Sequence, residues 1–291
     1  MEATKVSQGP TPSDQGGKAE PAPICRACGG PFQKDEFTGL QYCSLCDTVL
    51  SVLPQGRTYM LLGGSGSGKS IFIYKLMDIY LRSGKPCVYV ALDELPSQLR
   101  ASMGNLVGGI EESEKEGLLT FVDCYSCLGG VKSKETYHLD APGDLNGLAM
   151  LISKLTARTD GRSPMRLFID SATAMFAQCD PDAILRFLYS MSAKLKSGGG
   201  SLFFTLSGGA VPPETQKRLE QLADGLVEFK LADAPDRAQK YYRFSKVRGT
   251  LYFDVWLPFF IGEHTILLAP PEEPEVQARF YKTLDLIKAA M

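Results

Sequence analysis

The chain has 291 residues, 44% hydrophobic and 22% charged, close enough to the globular average to exclude a wholly disordered or collagen-like protein. Its 31 Lys and Arg residues against 33 Asp and Glu give a formal net charge of −2, without the basic footprint of a dedicated duplex-DNA binder. No run reaches the roughly 18 consecutive apolar residues of a membrane-spanning helix and no apolar signal-peptide core opens the chain, so a cytoplasmic protein without a membrane partner is expected.

Residues 1–22 are rich in Gly, Pro, Ser, Thr and Gln and cannot offset the entropy of ordering by burial, so a disordered tail is expected. Residues 23–48 read as a small module. ICRACGGPFQ and YCSLCDT set out Cys25-x2-Cys28, fourteen residues, then Cys43-x2-Cys46, which is zinc-ribbon spacing with one residue fewer than the commonest form. Each pair offers two thiolates to one tetrahedral Zn²⁺, and FTGL supplies a turn between two strands. Disulfides or unrelated thiols are the competing explanation. A closed zinc site of this kind supports folding and recognition, and ribbons dock either protein or nucleic acid.

From residue 50 to 265 the pattern alternates β-rich runs with segments of helical period. TYMLLG, PCVYVAL, LLTFVD, MRLFID, SLFFTLS and GLVEFKL predict an α/β domain, a mostly parallel sheet with helices on both faces. YYRFSKVRG, LYFDVWLPFFI and HTILLA follow as short strands with turn residues between them, an antiparallel extension. Over 272–290, Val276, Phe280, Leu284 and Ile287 fall on one stripe of a helix begun by Pro274.

The most specific motif lies in TYMLLGGSGSGKSIFIYKLM. Gly63, four residues, then Gly68, Lys69 and Ser70 fit G-x-x-x-x-G-K-[ST] at every fixed position, after a strand and before a helix. After Gly63, the backbone N–H groups from Gly64 through Ser65, Gly66, Ser67, Gly68 and Lys69 to Ser70 would form an anion nest at a helix N-terminus. Lys69 would reach the β- and γ-phosphates of ATP, and the Ser70 hydroxyl would ligate Mg²⁺. A second buried strand, RLFID, ends in Asp170, the expected partner of that Mg²⁺; a helix N-cap is the alternative use of an Asp before Ser. Asp93-Glu94, at the end of the PCVYVAL run, would orient the attacking water, either residue serving, or would only favour the helix beginning near Pro96. Thr205 and Ser207 end another strand and are weaker candidates for sensing the γ-phosphate.

With these elements in this order, residues 50–262 resemble the KaiC-like branch of the RecA superfamily of ATPases. LPQGRTYMLLGGSGSGKS is similar to that family's entry into its phosphate loop, VYVALDELPSQLR to its strand ending in two acidic residues, and FVDCYS to its third strand. RLFIDS is similar to its Walker B strand, and LADGLVEFK with KVRGT to its closing strands. The resemblance implies a homo-oligomer, usually a six-membered ring, with ATP between subunits and with Lys246 and Arg248 reaching a neighbour's nucleotide. A basic edge strand with no such role is the alternative. KaiC proper carries two such domains and this chain one, so a clock function is not implied. The acidic pair opens with Asp93 where the family usually has Glu.

Two further functions compete with an oligomeric regulatory ATPase. One is a RadA-like repair ATPase on single-stranded DNA, which shares the paired cysteines; its KNRFG motif is not found and VKSKETYH is only mildly basic. The other is a non-hydrolysing ATP sensor or autokinase. Cys124-x2-Cys127 reads as buried or incidental thiols, His138 and His264 as surface residues, and Trp256 as part of an apolar core strand.

Overall fold

The structure, a computed structural model, describes residues 32–34, 41–43, 53–104, 106–158, 163–233, 238–249, 252, 254–261 and 266–268, with positions 274, 275, 278 and 282. Cys25, Cys28, Cys46, His264 and the stripe Val276, Phe280, Leu284 and Ile287 lie outside the described residues. In the cysteine module, β1 (Phe32–Lys34) and β2 (Gln41–Cys43) pair antiparallel.

The six β-rich runs form the middle of a ten-stranded sheet. They are β3 (Thr58–Gly63), β4 (Cys87–Ala91), β5 (Leu119–Asp123), β7 (Arg166–Asp170), β8 (Ser201–Ser207) and β9 (Gly225–Asp233). All run parallel, as expected of strands buried on both faces. β6 (Tyr137–His138) adds a short parallel edge inside VKSKETYH, a strand too brief for periodicity to reveal. On the other side β10 (Ala238–Val247), β11 (Leu257–Ile261) and β12 (Ile266–Leu268) extend the sheet antiparallel. The strand order is β12-β11-β10-β9-β3-β8-β7-β4-β5-β6.

Strand side chains alternate between two cores. Tyr89 and Phe168 face one layer while Val88, Val90, Leu167 and Ile169 face the other. The first layer is covered by α1 (Lys69–Arg82), α2 (Pro96–Met103) and α3 (Ile110–Lys115), through Phe72, Leu76, Met77, Leu99 and Ile110. The second is covered by α4 (Leu145–Arg158), α5 (Ala172–Phe176), α6 (Pro181–Ser197) and α7 (Pro213–Leu222), through Ile152, Leu188, Leu195 and Leu219. Among the described residues no helix is long and apolar enough to cross a membrane.

One row of aromatic side chains fixes the register of the central strands. Tyr59, Phe203, Phe168, Tyr89 and Phe121 are direct partners across β3, β8, β7, β4 and β5. Tyr59 stacks on Phe203 and Phe203 on Phe168, each pair at 5.0 Å between ring centres, a spacing favourable for offset stacking. A one-residue slip of any strand would turn its ring to the opposite face, so the row specifies one alignment.

Trp256 departs from the expected core strand. β11 begins only at Leu257, and Trp256 is half-buried with the Lys230 ammonium 4.3 Å and the Arg243 guanidinium 4.7 Å from its ring centre. Its neighbours are cations rather than apolar layers, and cation–π contact holds it.

Tyr59 also explains the glycine that opens β9, because a Cβ at Gly225 would enter the Tyr59 ring. Gly225→Ala is expected to lower unfolding stability by about 1–3 kcal/mol, the usual scale for overpacking a core. Chemical denaturation reads this directly, and an unchanged midpoint would show that the ring row yields freely.

Candidate functional site

β3 ends at Gly63 and α1 begins at Lys69, so the glycine-rich loop links a buried strand to the N-terminus of a 14-residue helix. Gly66 and Gly68 have φ of 71° and 100°, a region that strains any residue with a Cβ. Gly68 is confined by packing as well: a Cβ there would lie 2.6 Å from the Phe259 ring and 3.4 Å from Lys240 Cδ. Strands β10 and β11 therefore hold the loop from outside. The Lys240 ammonium reaches its tip and donates to the Gly66 carbonyl at 2.7 Å.

Inside the loop, Lys69 is 8% exposed and donates to the carbonyls of Gly63 and Gly64 at 2.8 and 2.9 Å. Burial lowers its pKa, and the nearby Asp170 opposes that shift. The Ser67 hydroxyl donates to Gly64 O at 2.8 Å, and Gly64, Ser65 and Gly66 are exposed to solvent. Ser70 is half-buried in the first turn of α1.

Asp170 ends β7 and is 9% exposed. Its carboxylate accepts the Tyr89 hydroxyl from β4 at 2.9 Å and the Thr205 hydroxyl from β8 at 2.6 Å, one on each oxygen. Hydrogen bonds to a charged acceptor contribute about 1.5–3 kcal/mol each, which is how a carboxylate sits this deep beside a lysine. Thr205, a weak candidate for sensing phosphate, is thus held by Asp170. Ser207, at the end of the same strand, gives its N–H to Thr173 Oγ1 at 2.9 Å.

The peptide Asp170–Ser171 is cis. The Ser171 hydroxyl donates to Asp93 Oδ2 at 2.7 Å, which joins the acidic pair to the end of β7. Glu94 is exposed beside it. Asp93 also meets solvent, yet partial burial of its carboxyl raises its pKa, Asp170 raises it further, and the Ser171 hydrogen bonds act the other way. Lys69, Ser70, Asp170, Asp93 and Glu94 therefore share the edge of the sheet where the parallel strands end.

Lys246 and Arg248 lie elsewhere. β10 runs against β9, so Val247 pairs with Gly225 at the start of β9, whereas Gly63 pairs with Phe229 further along that strand. This separation of four residues along β9 corresponds to about 13 Å of strand, and Arg248 lies beyond Val247 at the opposite sheet edge from its own phosphate loop. Lys246 Nζ donates to the carbonyls of Glu220 and Ala223 at 2.8 and 2.6 Å, at the end of α7. Arg248 donates to Asp224 Oδ1 at 3.5 Å.

Sequence reasoning missed Tyr89, Lys240 and Phe259 as parts of the site. Each reaches it across strand partners far away in the chain, and no spacing in the sequence marks them. Cys124 is buried and Cys127 half-buried, with Cys127 Sγ 3.4 Å from Cys124 O, and burial raises both thiols. His138 contacts the Glu135 carbonyl at 2.9 Å.

The residues fit a nucleoside triphosphate and a hard cation. The N-terminus of α1 and Lys69 suit a polyphosphate, while the Asp170 carboxylate and the Ser70 hydroxyl are oxygen donors of the kind Mg²⁺ takes beside phosphates. Comparison with known proteins agrees. A family model described as the ATPase KaiC matches residues 44–273. A UPF0273 protein of Aeropyrum pernix is 28% identical over 236 residues, covering 80% of this chain and 93% of that protein. The circadian clock oscillator protein KaiC of Synechococcus elongatus is 25% identical over 222 residues, 75% of this chain but 41% of that one. A KaiC-like protein from Pyrococcus horikoshii has the same fold, with a TM-score of 0.63 at 21% identity over 82% of this chain and all of its own. A family match that runs over most of the chain settles the classification: this protein belongs to the KaiC-like P-loop ATPases of the RecA superfamily.

Proposed function

We propose that the protein is a Mg²⁺-dependent ATPase that works in the cytoplasm as a homo-oligomer, hydrolysing ATP between subunits to change its conformation or its hold on a partner. The observation that carries this reading is the burial of Lys69 and Asp170 within electrostatic reach of each other, beside the acidic pair. Mg²⁺-ATP supplies the electrophilic γ-phosphorus and the metal charge that neutralises its oxygens. The chain's own groups do the rest. Lys69 and the α1 amides hold phosphate, Ser70 and Asp170 hold the cation, Tyr89 and Thr205 fix Asp170, and Glu94 or Asp93 orients water.

A site shared between subunits is supported by the position of Arg248 and Lys246 at the far sheet edge, out of reach of their own loop. A repair function on single-stranded DNA draws no support from VKSKETYH. Ser133 is bonded to Asp123 at 2.6 Å and Glu135 to Arg100 at 2.8 Å, so the segment braces the fold. The domain organisation is proposed as read from the sequence, with a tail over 1–22, a ribbon over 23–48, the ATPase domain over 50–265 and a helix over 272–290. Cys25, Cys28, Cys43 and Cys46 would hold one Zn²⁺, a donor set of two thiolate pairs suited to tetrahedral metal, and that module would dock a protein or nucleic acid.

Lys69→Ala is expected to lose ATP affinity, Asp170→Asn to bind ATP but lose Mg²⁺-dependent turnover, and Glu94→Gln with Asp93→Asn to slow turnover by about 10²-fold. Phosphate release assays beside equilibrium binding read all three, and normal turnover by Lys69→Ala or Asp170→Asn would sink the ATPase reading.

Mixing tests the shared site. Arg248→Ala chains and Lys69→Ala chains, each inactive alone, should regain part of the activity together, because some interfaces then join an intact loop to an intact arginine. Mixed oligomers that stay inactive would mean that Arg248 serves only its own subunit. For the ribbon, metal analysis of freshly purified protein should give about one zinc per chain, lost in Cys25→Ser without loss of ATP binding.

A further inference from the structure

At the sheet edge opposite the phosphate loop, four cations from three separate segments gather around one buried carboxylate. Asp224 precedes β9 and is 4% exposed. Its N–H donates to Thr58 O at 2.7 Å, the Thr58 N–H donates back to Asp224 Oδ2 at 2.9 Å, and the Arg248 N–H donates to Asp224 O at 2.9 Å. Backbone and carboxylate are therefore fixed together.

Lys196, in the last turn of α6, lies 2.5 Å from Asp224 Oδ2, and Arg248 lies 3.5 Å from Oδ1. Lys246 sits beside them on the Ala223 carbonyl, and the Arg57 guanidinium approaches Gly249 closely enough that a Cβ there would lie 3.1 Å from it. Burial pushes the Asp224 carboxyl up, but the Lys196 and Thr58 hydrogen bonds and the attraction of Lys196 and Arg57 outweigh it, holding the group below the usual carboxylate range.

The donors are not used up. An ammonium has three N–H groups and a guanidinium five. Among the described residues Lys196 is committed to Asp224 alone, Lys246 to two carbonyls, and the Arg248 guanidinium to one long contact while its side chain is 56% exposed. The carboxylates that face them are Asp224 and Glu220, so the cations outnumber the acids in a chain whose net charge is −2. An excess of oriented donors at a partly open edge suits a multiply charged anion with several oxygens, and that is phosphate chemistry.

We propose that Lys196 acts with Lys246 and Arg248 on the phosphates of ATP bound by an adjacent copy of this chain, and that Asp224 is the positioning residue that holds Lys196 and Arg248 for that contact. The proposal rests on the reading of the ATP site as shared between subunits. Asp224 touches no substrate; it aims the two side chains that do, and its charge keeps them together before phosphate arrives.

The test uses the full chain with Lys196→Met, Lys196→Arg and Asp224→Asn, measuring kcat and KM for Mg²⁺-ATP and the affinity for a fluorescent ATP analogue. Lys196→Met should lower kcat about tenfold, the scale of one charge-assisted hydrogen bond, with a much smaller change in KM. Lys196→Arg should restore most of the loss, and Asp224→Asn, which still accepts from Thr58, should lower kcat as Lys196→Met does. Mixing Lys196→Met with Lys69→Ala chains should raise turnover per Lys196→Met chain, since its intact loop then meets an intact lysine.

If Asp224→Asn fails to fold, the two Lys196 variants carry the test alone. Unchanged kcat and affinity in Lys196→Met, or a loss that mixing does not relieve while the Arg248→Ala loss is relieved, would overturn the role of Lys196 and leave the shared site standing. Failure of Arg248→Ala itself to complement would remove both. Weakened binding of oligo(dT) with normal turnover would assign this edge to nucleic acid and overturn the proposal.

Discussion

The site depends on the Asp170 carboxylate being held by hydrogen bonds at 9% exposure. Burying such a group without partners is costly. Here two hydroxyls from different strands, Tyr89 and Thr205, take one oxygen each, and Lys69 faces it from the loop. None of these groups is near Asp170 in sequence. They meet because β4, β7 and β8 hold one register, and the register is held by the aromatic row that includes Tyr89 itself. A single side chain thus joins core packing at its ring to site electrostatics at its hydroxyl. Packing and function share one constraint, since loss of the alignment would take Tyr89 and Thr205 away from Asp170.

The same topology divides the charges between the two ends of the sheet. Parallel strands joined through helices bring the α1 N-terminus, the loop and the acidic residues to the edge where strands end, the usual ligand edge of an open α/β sheet. Strand β10 runs the other way and delivers Lys246 and Arg248 to the edge where β3 and β9 begin. Its first residues stay at the loop, where Lys240 meets Gly66. One antiparallel strand therefore serves both edges, with a lysine at one end and the basic segment at the other.

Much of this was legible in the residues. The loop motif, the strand ending in Asp170, the acidic pair and the switch to antiparallel strands follow from local pattern, and local pattern is what periodicity reports. The two-residue β6 and the position of Trp256 were not legible, the first because it is shorter than a period, the second because an apolar run does not reveal where its strand begins. Tyr89, Lys240 and Asp224 were hidden for another reason. Their partners Asp170, Gly66 and Lys196 are set by strand order and register, which one sequence read element by element does not fix.

The separation of charge has a consequence for assembly. The chain carries its glycine-rich loop at one sheet edge and a surplus of cations at the other. On the reading proposed above, the second edge of one copy docks on the first edge of the next. Such a contact is head-to-tail, because the two complementary surfaces are different faces of the chain, and a two-fold dimer would set like against like. Head-to-tail contacts either close into rings or continue as filaments, according to the rotation between copies. On that reading the chain completes its site by repetition, and ATP, lying between the acidic edge and the basic one, would contribute to the interface as well as to the chemistry.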